Sequence, residues 1–321
     1  MPLAARIDES DVSMETVEKT SCALCGSNET DLLFVGRDRL HSAPGEFTVV
    51  QCKNCSLVYL NPRPAWTEME GYYPTDYAPY TQLAGSPLQR LIKSGGLRRK
   101  QRLVQKQKSS GALLDVGCGA GDFIRFMAEN GKWRVFGIEP SAQAARRAAQ
   151  ISGGEVFCGR LEDATFAPHS FDVITMWHVM EHLYDPRGAL DVLRRTLKPG
   201  GKLIVAVPVL DSIDAGLFGA YWSGYDVPRH LFTYSKATLT EMLTTSGFSN
   251  IRFDSFIGGF DAFRISLHFW SDERLKSPFL RRAIRATSQS LALRLLMVPY
   301  FMIVNRLDRG STLVAAASAV E

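Results

Sequence analysis

The sequence predicts an α/β fold: a mostly parallel sheet covered by helices on both faces, with a small cysteine-bearing ribbon ahead of it. Three observations predict it. Beyond residue 111, apolar strand-like runs alternate with helical stretches in the manner of βαβ units. Those runs are continuously apolar, as in Lys202-Leu203-Ile204-Val205-Ala206-Val207, which suits strands buried on both faces. Ahead of them, two Cys-x-x-Cys pairs each adjoin a short β-like run.

With 321 residues and 45% hydrophobic content, the chain has room for one large α/β domain and a small appendage. The formal net charge of +4 is compatible with anionic substrates or membrane surfaces, and falls short of the excess that marks nucleic-acid binders. Residues 1–20 are polar and acidic with no apolar stretch of an export signal, so a flexible N-terminus and a cytoplasmic location are expected. No run of about 18 uninterrupted apolar residues occurs, so no transmembrane helix is expected.

The elements follow in order. Residues 21–60 read as the ribbon, with strands at 47–51 and 57–60. Residues 61–110 read as a linker, opened by Asn61-Pro62-Arg63-Pro64 and an aromatic stretch of Tyr72, Tyr73, Tyr77 and Tyr80. The linker closes on a basic helix: between 90 and 108 there are eight Lys or Arg residues, Lys93 and Lys100 among them, and no acidic one. Such a run is either a partner-binding surface or a solvated helix face. From 111 to 321 the α/β pattern places strands at 113–116, 133–138, 156–158, 171–177 and 202–207, with helices at 123–130, from Ser141 to Ile151, and at 188–197. Strands six and seven are expected at 251–256 and 312–317, with an apolar and basic helical insertion at about 257–310 between them.

The loop Asp115-Val116-Gly117-Cys118-Gly119-Ala120-Gly121 follows a strand and opens a helix, the context of a nucleotide-type pocket. Glycines let a ligand approach the backbone and allow positive φ. Glu139 ends the next strand, 24 residues after Asp115 and close to the spacing of about 20 at which a carboxylate bonds ribose hydroxyls. Asp115 to Gly121, Gly137-Ile138-Glu139-Pro140-Ser141, Ser170-Phe171-Asp172-Val173-Ile174, Glu181-His182-Leu183-Tyr184-Asp185-Pro186 and Leu197-Lys198-Pro199-Gly200-Gly201 occur in this order over 111–207. In these motifs the chain resembles the class I S-adenosylmethionine-dependent methyltransferases. A dinucleotide dehydrogenase is disfavoured, because the loop lacks the G-x-G-x-x-G spacing.

The resemblance implies a Rossmann-like seven-stranded sheet in the order 3-2-1-4-5-7-6 and S-adenosylmethionine as cofactor. It places the methionine part on Asp115, Gly117, Cys118, Gly119 and Gly121, and the ribose on Glu139 beside Pro140. Adenine falls near Leu161 and Glu162, with Trp177 and His178 completing the cofactor set. Where family members often carry an acidic residue after the glycine, this chain has Gly159-Arg160-Leu161.

His178 and His182 stand four apart, one helical turn, and Glu181 three from His178. The trio reads as a general base with an orienting carboxylate, as metal ligands like those suggested by the Glu-His motif of quinone-forming O-methyltransferases, or as residues that only stabilise the loop. An aromatic insertion running from Tyr221 to Ser235 is expected to wall the acceptor, with His230 a second candidate base. There Arg229 either pairs with a phosphate or pins the loop.

Cys22, Cys25, Cys52 and Cys55 form two matched knuckles, the arrangement of structural zinc, with a redox dithiol the alternative. Cys118 and Cys158 are expected to be core thiols. Similar modules occur in methyltransferases of nucleotide- or lipid-linked sugars and of ribosomal RNA. The ribbon is not basic, which favours a small acceptor, expected to be a sugar or ring metabolite of polysaccharide or secondary-metabolite biosynthesis. The alternatives are an RNA methyltransferase that grips RNA through the zinc module, and a non-catalytic cofactor-binding module. The basic flank and apolar helix of 274–308 suggest peripheral contact with the inner membrane surface; a packed helical pair or a dimer interface is the other reading. The sequence leaves the oligomeric state open.

Overall fold

The computed structural model describes residues 17–73, 87–255 and 259–320. Residues 1–16, Tyr77, Tyr80 and Phe256, on which some expectations fall, lie outside these. The N-terminal region gives five strands, β1 (Val17–Glu18), β2 (Thr30–Gly36), β3 (Phe47–Cys52), β4 (Val58–Leu60) and β5 (Arg63–Pro64), then helices α1 (Trp66–Met69) and α2 (Pro87–Gln107). β1 pairs antiparallel with β5, Val17 opposite Pro64 and Glu18 opposite Arg63. Glu18 bonds Arg63 at 2.6 Å, and Thr20 exchanges hydrogen bonds with the Asn61 side chain.

The large domain alternates β6 (Ser110–Val116), α3 (Asp122–Glu129), β7 (Lys132–Glu139), α4 (Ala142–Ser152), β8 (Glu155–Cys158), β9 (Phe171–Trp177), α5 (Pro186–Thr196) and β10 (Leu197–Pro208). Local chemistry sets the helix starts. Ser141 caps α4 by accepting from Ala144 N, and Asp185 caps α5 by accepting from Gly188 N ahead of Pro186 in the first turn. Lys198-Pro199-Gly200-Gly201 does stop α5, but it forms the irregular start of β10, where the register against β9 shifts between Leu197 and Lys202.

There follow α6 (Ile213–Phe218), β11 (Phe232–Thr233), α7 (Lys236–Thr245), β12 (Phe248–Ser255), α8 (Gly259–Arg274), α9 (Pro278–Ser288), α10 (Leu291–Leu296), α11 (Val298–Arg306) and β13 (Thr312–Ala319). The seven-stranded sheet runs β12-β13-β10-β9-β6-β7-β8. β13 runs opposite to the other six strands, and the order is the expected one. Leu113, Leu114, Ile174, Leu203 and Val205 are fully buried at its centre. Edge strand β8 leaves Cys158 exposed, contrary to a core thiol, whereas Cys118 is buried.

A second sheet runs β11-β4-β3-β2. The ribbon therefore takes its fourth strand from the loop beyond β10: Phe232 pairs with Tyr59 and Thr233 with Val58. Sequence reading misses β2, whose Leu32, Leu33 and Val35 are exposed and lack a strand's alternation.

Candidate active site

The first half of the site lies at the carboxyl ends of β6, β7 and β9, where open α/β sheets receive their ligands. After β6 the chain turns through Gly117, Gly119 and Gly121 with φ of 70°, 55° and 84°. A Cβ on Gly121 would sit 2.6 Å from Ala148 Cα, and one on Gly117 2.5 Å from a Val179 methyl. Glycine thus lets α4 and the loop after β9 close on the turn. Cys118 N and Gly117 N donate to Ile138 O, which ties the turn to β7.

Glu139, 3% exposed, accepts from Gly119 N and Ser141 N, both at 2.9 Å, and keeps a spare lone pair on each oxygen. Burial pushes its carboxyl up, against the pull of those two N–H groups. Asp115 accepts from Thr175 Oγ1 at 2.6 Å. Burial raises Asp115 to about 6, opposed by the charge of Lys100 and the Thr175 bond.

Lys100 corrects the reading of the basic helix. Its ammonium lies over the rings of Trp177 and Phe123, 4.9 and 5.5 Å from their centroids. Burial lowers its pKa, while Asp115 and Asp122 hold it up. Lys93 and Lys106 likewise turn to the domain, at 2.5 Å from Asp122 and 2.8 Å from Asp254. Their partners are remote in sequence, so the run looks solvated until the chain folds. Leu161 is buried in a 3-10 turn, Glu162 pairs with Arg160 at 3.2 Å, and Pro140 is exposed.

The second half is a cavity of about 240 Å³ that His178, just beyond β9, lines together with Trp222, Asp226, His230, Ala262 and Phe269. Leu40 of the ribbon and Ile265 of α8 complete apolar walls. His178 has φ of 58°, a strained conformation for a non-glycine residue, and its N donates to Ala206 O. His178 and His182 are therefore not on one helical face: the first is in a left-handed turn and the second in the 3-10 turn Met180–His182. The His178–Glu181 pair still forms, Nδ1 to Oε1 at 3.2 Å.

Glu181 is buried, and its Oε2 has no hydrogen-bond partner among the described residues. Burial favours its protonation, yet the imidazoles of His178, His182 and His230 hold it below the usual carboxylate range. His182 Nδ1 meets Arg229 O at 2.9 Å and Tyr73 Oη at 3.1 Å, so this ring is fixed by its surroundings. Nδ1 of His230 meets Gly224 O at 2.7 Å, leaving Nε2 toward Asp226 at 4.0 Å. The structure thus gathers His178, Glu181, His182 and His230; ligand atoms of Glu181, His182 and His230 lie within 4.8 Å of one another.

Burial and the neighbouring His230 lower His182 to about 4, against the pull of Glu181. An unfolded histidine titrates near 6.5, so the unfolded chain takes the proton first. Stability from the neutral ring is then complete above about pH 6.5 and is lost as pH falls toward the folded value. His182→Asn is expected to flatten that part of the stability curve in urea melts; an unchanged slope would count against the assignment.

Arg229 is not available to a phosphate. Its guanidinium is 0% exposed and bonds Asp38, Asp226 and Tyr72 O. Nor does the ribbon present free cations: Arg37 and Arg39 pair with Glu273, and Lys53 with Asp31. Its thiols do converge. Cys22 Sγ lies 3.4 Å from Cys55 Sγ, Cys25 Sγ 3.5 Å from Cys52 Sγ, and all four fall within 4.8 Å of one another.

A family model described as "Methyltransferase domain" matches residues 88–252, more than half of the chain. The chain belongs to that family. Its fold is that of the class I S-adenosylmethionine-dependent methyltransferases. Over 96 residues the chain is 41% identical to the ubiquinone biosynthesis O-methyltransferase of Neisseria meningitidis, covering 28% of this chain and 40% of that protein. It is 36% identical over 98 residues to the 2-methyl-6-phytyl-1,4-hydroquinone methyltransferase of Synechocystis sp., covering 29% and 31%. The match therefore spans less than half the length of either relative. Among solved structures, phosphoethanolamine N-methyltransferase 2 of Haemonchus contortus, in complex with S-adenosyl-L-methionine, shares the fold with a TM-score of 0.53 and 15% identity, covering 91% of this chain and 69% of its own.

The loop-pinning reading of Arg229 is the one the structure shows, but sequence reading of the candidate site misses its distant partner Asp38, the place of Lys100 and that of Leu40. Each of these depends on a partner far away along the chain. Only Trp222 carried a local signal, the aromatic density of its loop.

Proposed function

We propose that this protein transfers the methyl group of S-adenosylmethionine to a hydroxyl on a small ring-bearing acceptor, with His178 as general base. The observation that carries the reading is the His178–Glu181 pair, set at the cavity wall one residue from Val179, which packs against Gly117. His178 Nδ1–H donates to the Glu181 carboxylate, so Nε2 keeps the lone pair that takes the acceptor's proton. Glu181, held ionised, stabilises the imidazolium that results. The apolar walls exclude water and align the acceptor.

The donor pocket fits the cofactor. Glu139 retains lone pairs for two ribose hydroxyls, the glycine turn leaves room where side chains would intrude, and Lys100 suits the methionine carboxylate. Trp177 and Leu161 supply apolar contact, with Glu162 toward the adenine edge. When bound, S-adenosylmethionine supplies an electrophilic methyl on a sulfonium. The cysteine cluster fits a structural zinc: a tetrahedral tetrathiolate site with bonds of about 2.3 Å spaces its sulfurs by roughly 3.8 Å.

The cavity wall offers few uncommitted polar atoms. Ser223 Oγ donates to Ala262 O, Ser311 Oγ to Asp214, and Asp226 holds Arg229. Trp222 Nε1 has no partner among the described residues. A ring with one or two hydroxyls fits this better than a fully hydroxylated sugar, nucleotide- or lipid-linked. The quinone-type names of the two curated relatives point the same way.

The test is methyl transfer from labelled donor to matched panels of ring phenols, sugar nucleotides and RNA, with calorimetry of S-adenosylhomocysteine. Methyl ethers of the phenols are expected. Glu139→Ala should weaken S-adenosylhomocysteine at least about tenfold, since two charge-assisted bonds are lost. Unaltered affinity would remove the pocket assignment, and product from sugars or RNA alone would remove the acceptor assignment.

A further inference from the structure

Of the helices described between β12 and β13, α8 walls the acceptor cavity, while α9, α10 and α11 present an unusual surface on the outside. α10 and α11 bury Phe301 and Val304 against Phe260 and Phe263. The opposite stripe of the same helices, Leu291, Leu295, Val298 and Met302, with Leu296 and Ile303 beside it, is exposed; Leu296 is 75% accessible. On α9, Phe279 is 76% accessible. A helix apolar on both sides has its outer side covered in its working state.

The charges around this face are of one sign. From 274 to 307 there are seven Arg or Lys residues and no Asp or Glu. The flanking acids are already held: Asp272 by Arg285, Glu273 by Arg37 and Arg39, Asp261 by Arg264 and Arg294, and Asp308 by Lys236. Lys276, Arg282 and Arg306 are exposed and have no acidic partner among the described residues. A second copy of this chain, docked by the same face about a twofold axis, would set this cationic surface against an identical cationic surface. An anionic sheet of headgroups over an apolar interior matches both features at once.

We infer that the outer face of α9, α10 and α11 docks on an anionic lipid bilayer. The contact is in the plane of the interface. No described helix is by itself long and apolar enough to cross a membrane; α9 with α10 and α11 passes that test only as a pair bent by 67°. The burial of Phe301 and Val304 in the domain keeps the second member of that pair along the protein surface. α9 packs on α8, whose Ala262, Ile265 and Phe269 line the acceptor cavity. The cavity is therefore one helix away from the lipid. Resting on the proposed function, this selects an acceptor that partitions into the bilayer, with its reactive hydroxyl at the headgroup level.

The test is co-sedimentation of the full chain with vesicles of phosphatidylcholine alone and with a quarter of phosphatidylglycerol, alongside light scattering of the free protein. Binding to the anionic vesicles is expected, falling as salt rises. Leu296→Glu with Met302→Glu should weaken it at least about tenfold, and Arg282→Glu with Arg306→Glu should cost roughly tenfold or more on anionic vesicles only. Calorimetry of S-adenosylhomocysteine on each variant separates a lost docking face, where affinity is unchanged, from a lost fold, and it tests the donor pocket apart from the membrane contact. Absence of binding to anionic vesicles, binding indifferent to Leu296→Glu with Met302→Glu, or a dimer that this variant dissociates would overturn the inference.

Discussion

Replacing Arg229 with methionine is expected to lower the unfolding free energy by about 3–5 kcal/mol, because it leaves charge buried without a partner. The guanidinium bonds Asp38 at 2.7 and 3.0 Å and Asp226 at 2.7 and 3.1 Å, and donates to Tyr72 O at 3.1 Å. Asp38 has no exposed side-chain surface, and also accepts from the backbone of Leu40, His41 and Ala43. Burial would raise its carboxyl, but Arg229 together with the N–H groups of His41 and Ala43 holds it below the usual value. The pair's contribution is therefore present above the ordinary carboxylate pKa and is lost as pH falls through the depressed one.

Lysine should not substitute for Arg229, since a point charge cannot meet two carboxylates as the planar fork does. Adding Asp38→Asn to Arg229→Met should recover part of the loss by removing the stranded anion. Urea melts at neutral pH read all of these. A loss below about 1 kcal/mol for Arg229→Met would mean that the network is solvated in solution, the range of exposed pairs.

His178→Ala is expected to reduce kcat by about 10²- to 10⁴-fold, the usual contribution of a positioned base, with S-adenosylhomocysteine affinity unchanged. Glu181→Gln should reduce it less, because a glutamine oxygen can still accept from Nδ1 while the charge opposite the imidazolium is gone. His230→Ala provides the comparison. If it costs more than His178→Ala at equal cofactor affinity, the proton goes to the second imidazole of the cavity instead.

The elements around the glycine turn were legible because they are continuous in sequence. A buried strand, a glycine turn and a helix succeed one another within twenty residues, and Glu139 ends the very next strand, so local pattern and tertiary position coincide. The acceptor half was less so. His178 and His182 fit a helical spacing, but the positive φ at His178 breaks the helix and only a three-residue turn follows. Lys100 sits in a basic stretch, indistinguishable by composition from a solvated cation, and Arg229 in an aromatic loop whose sequence does not say whether it binds a ligand or pins the loop. What buries them is Asp38, 191 positions away, and the Trp177 and Asp115 cluster. β2 escaped notice because its apolar side chains face outward, without the alternation of a half-buried strand.

The join between β11 and β4 separates two kinds of inheritance in this chain. The residues of the proposed donor pocket fall within one stretch, 100–177, whereas the cavity draws Leu40, His178, the 222–230 loop and α8 from segments encoded far apart. Insertions or exchanges in the ribbon or in the helical segment can therefore reshape what is methylated while the donor stretch stays untouched. Chimaeras that trade 30–60, 222–230 and 259–306 together between relatives should exchange acceptor preference as a unit, and those trading only part of the three should leave a mismatched cavity.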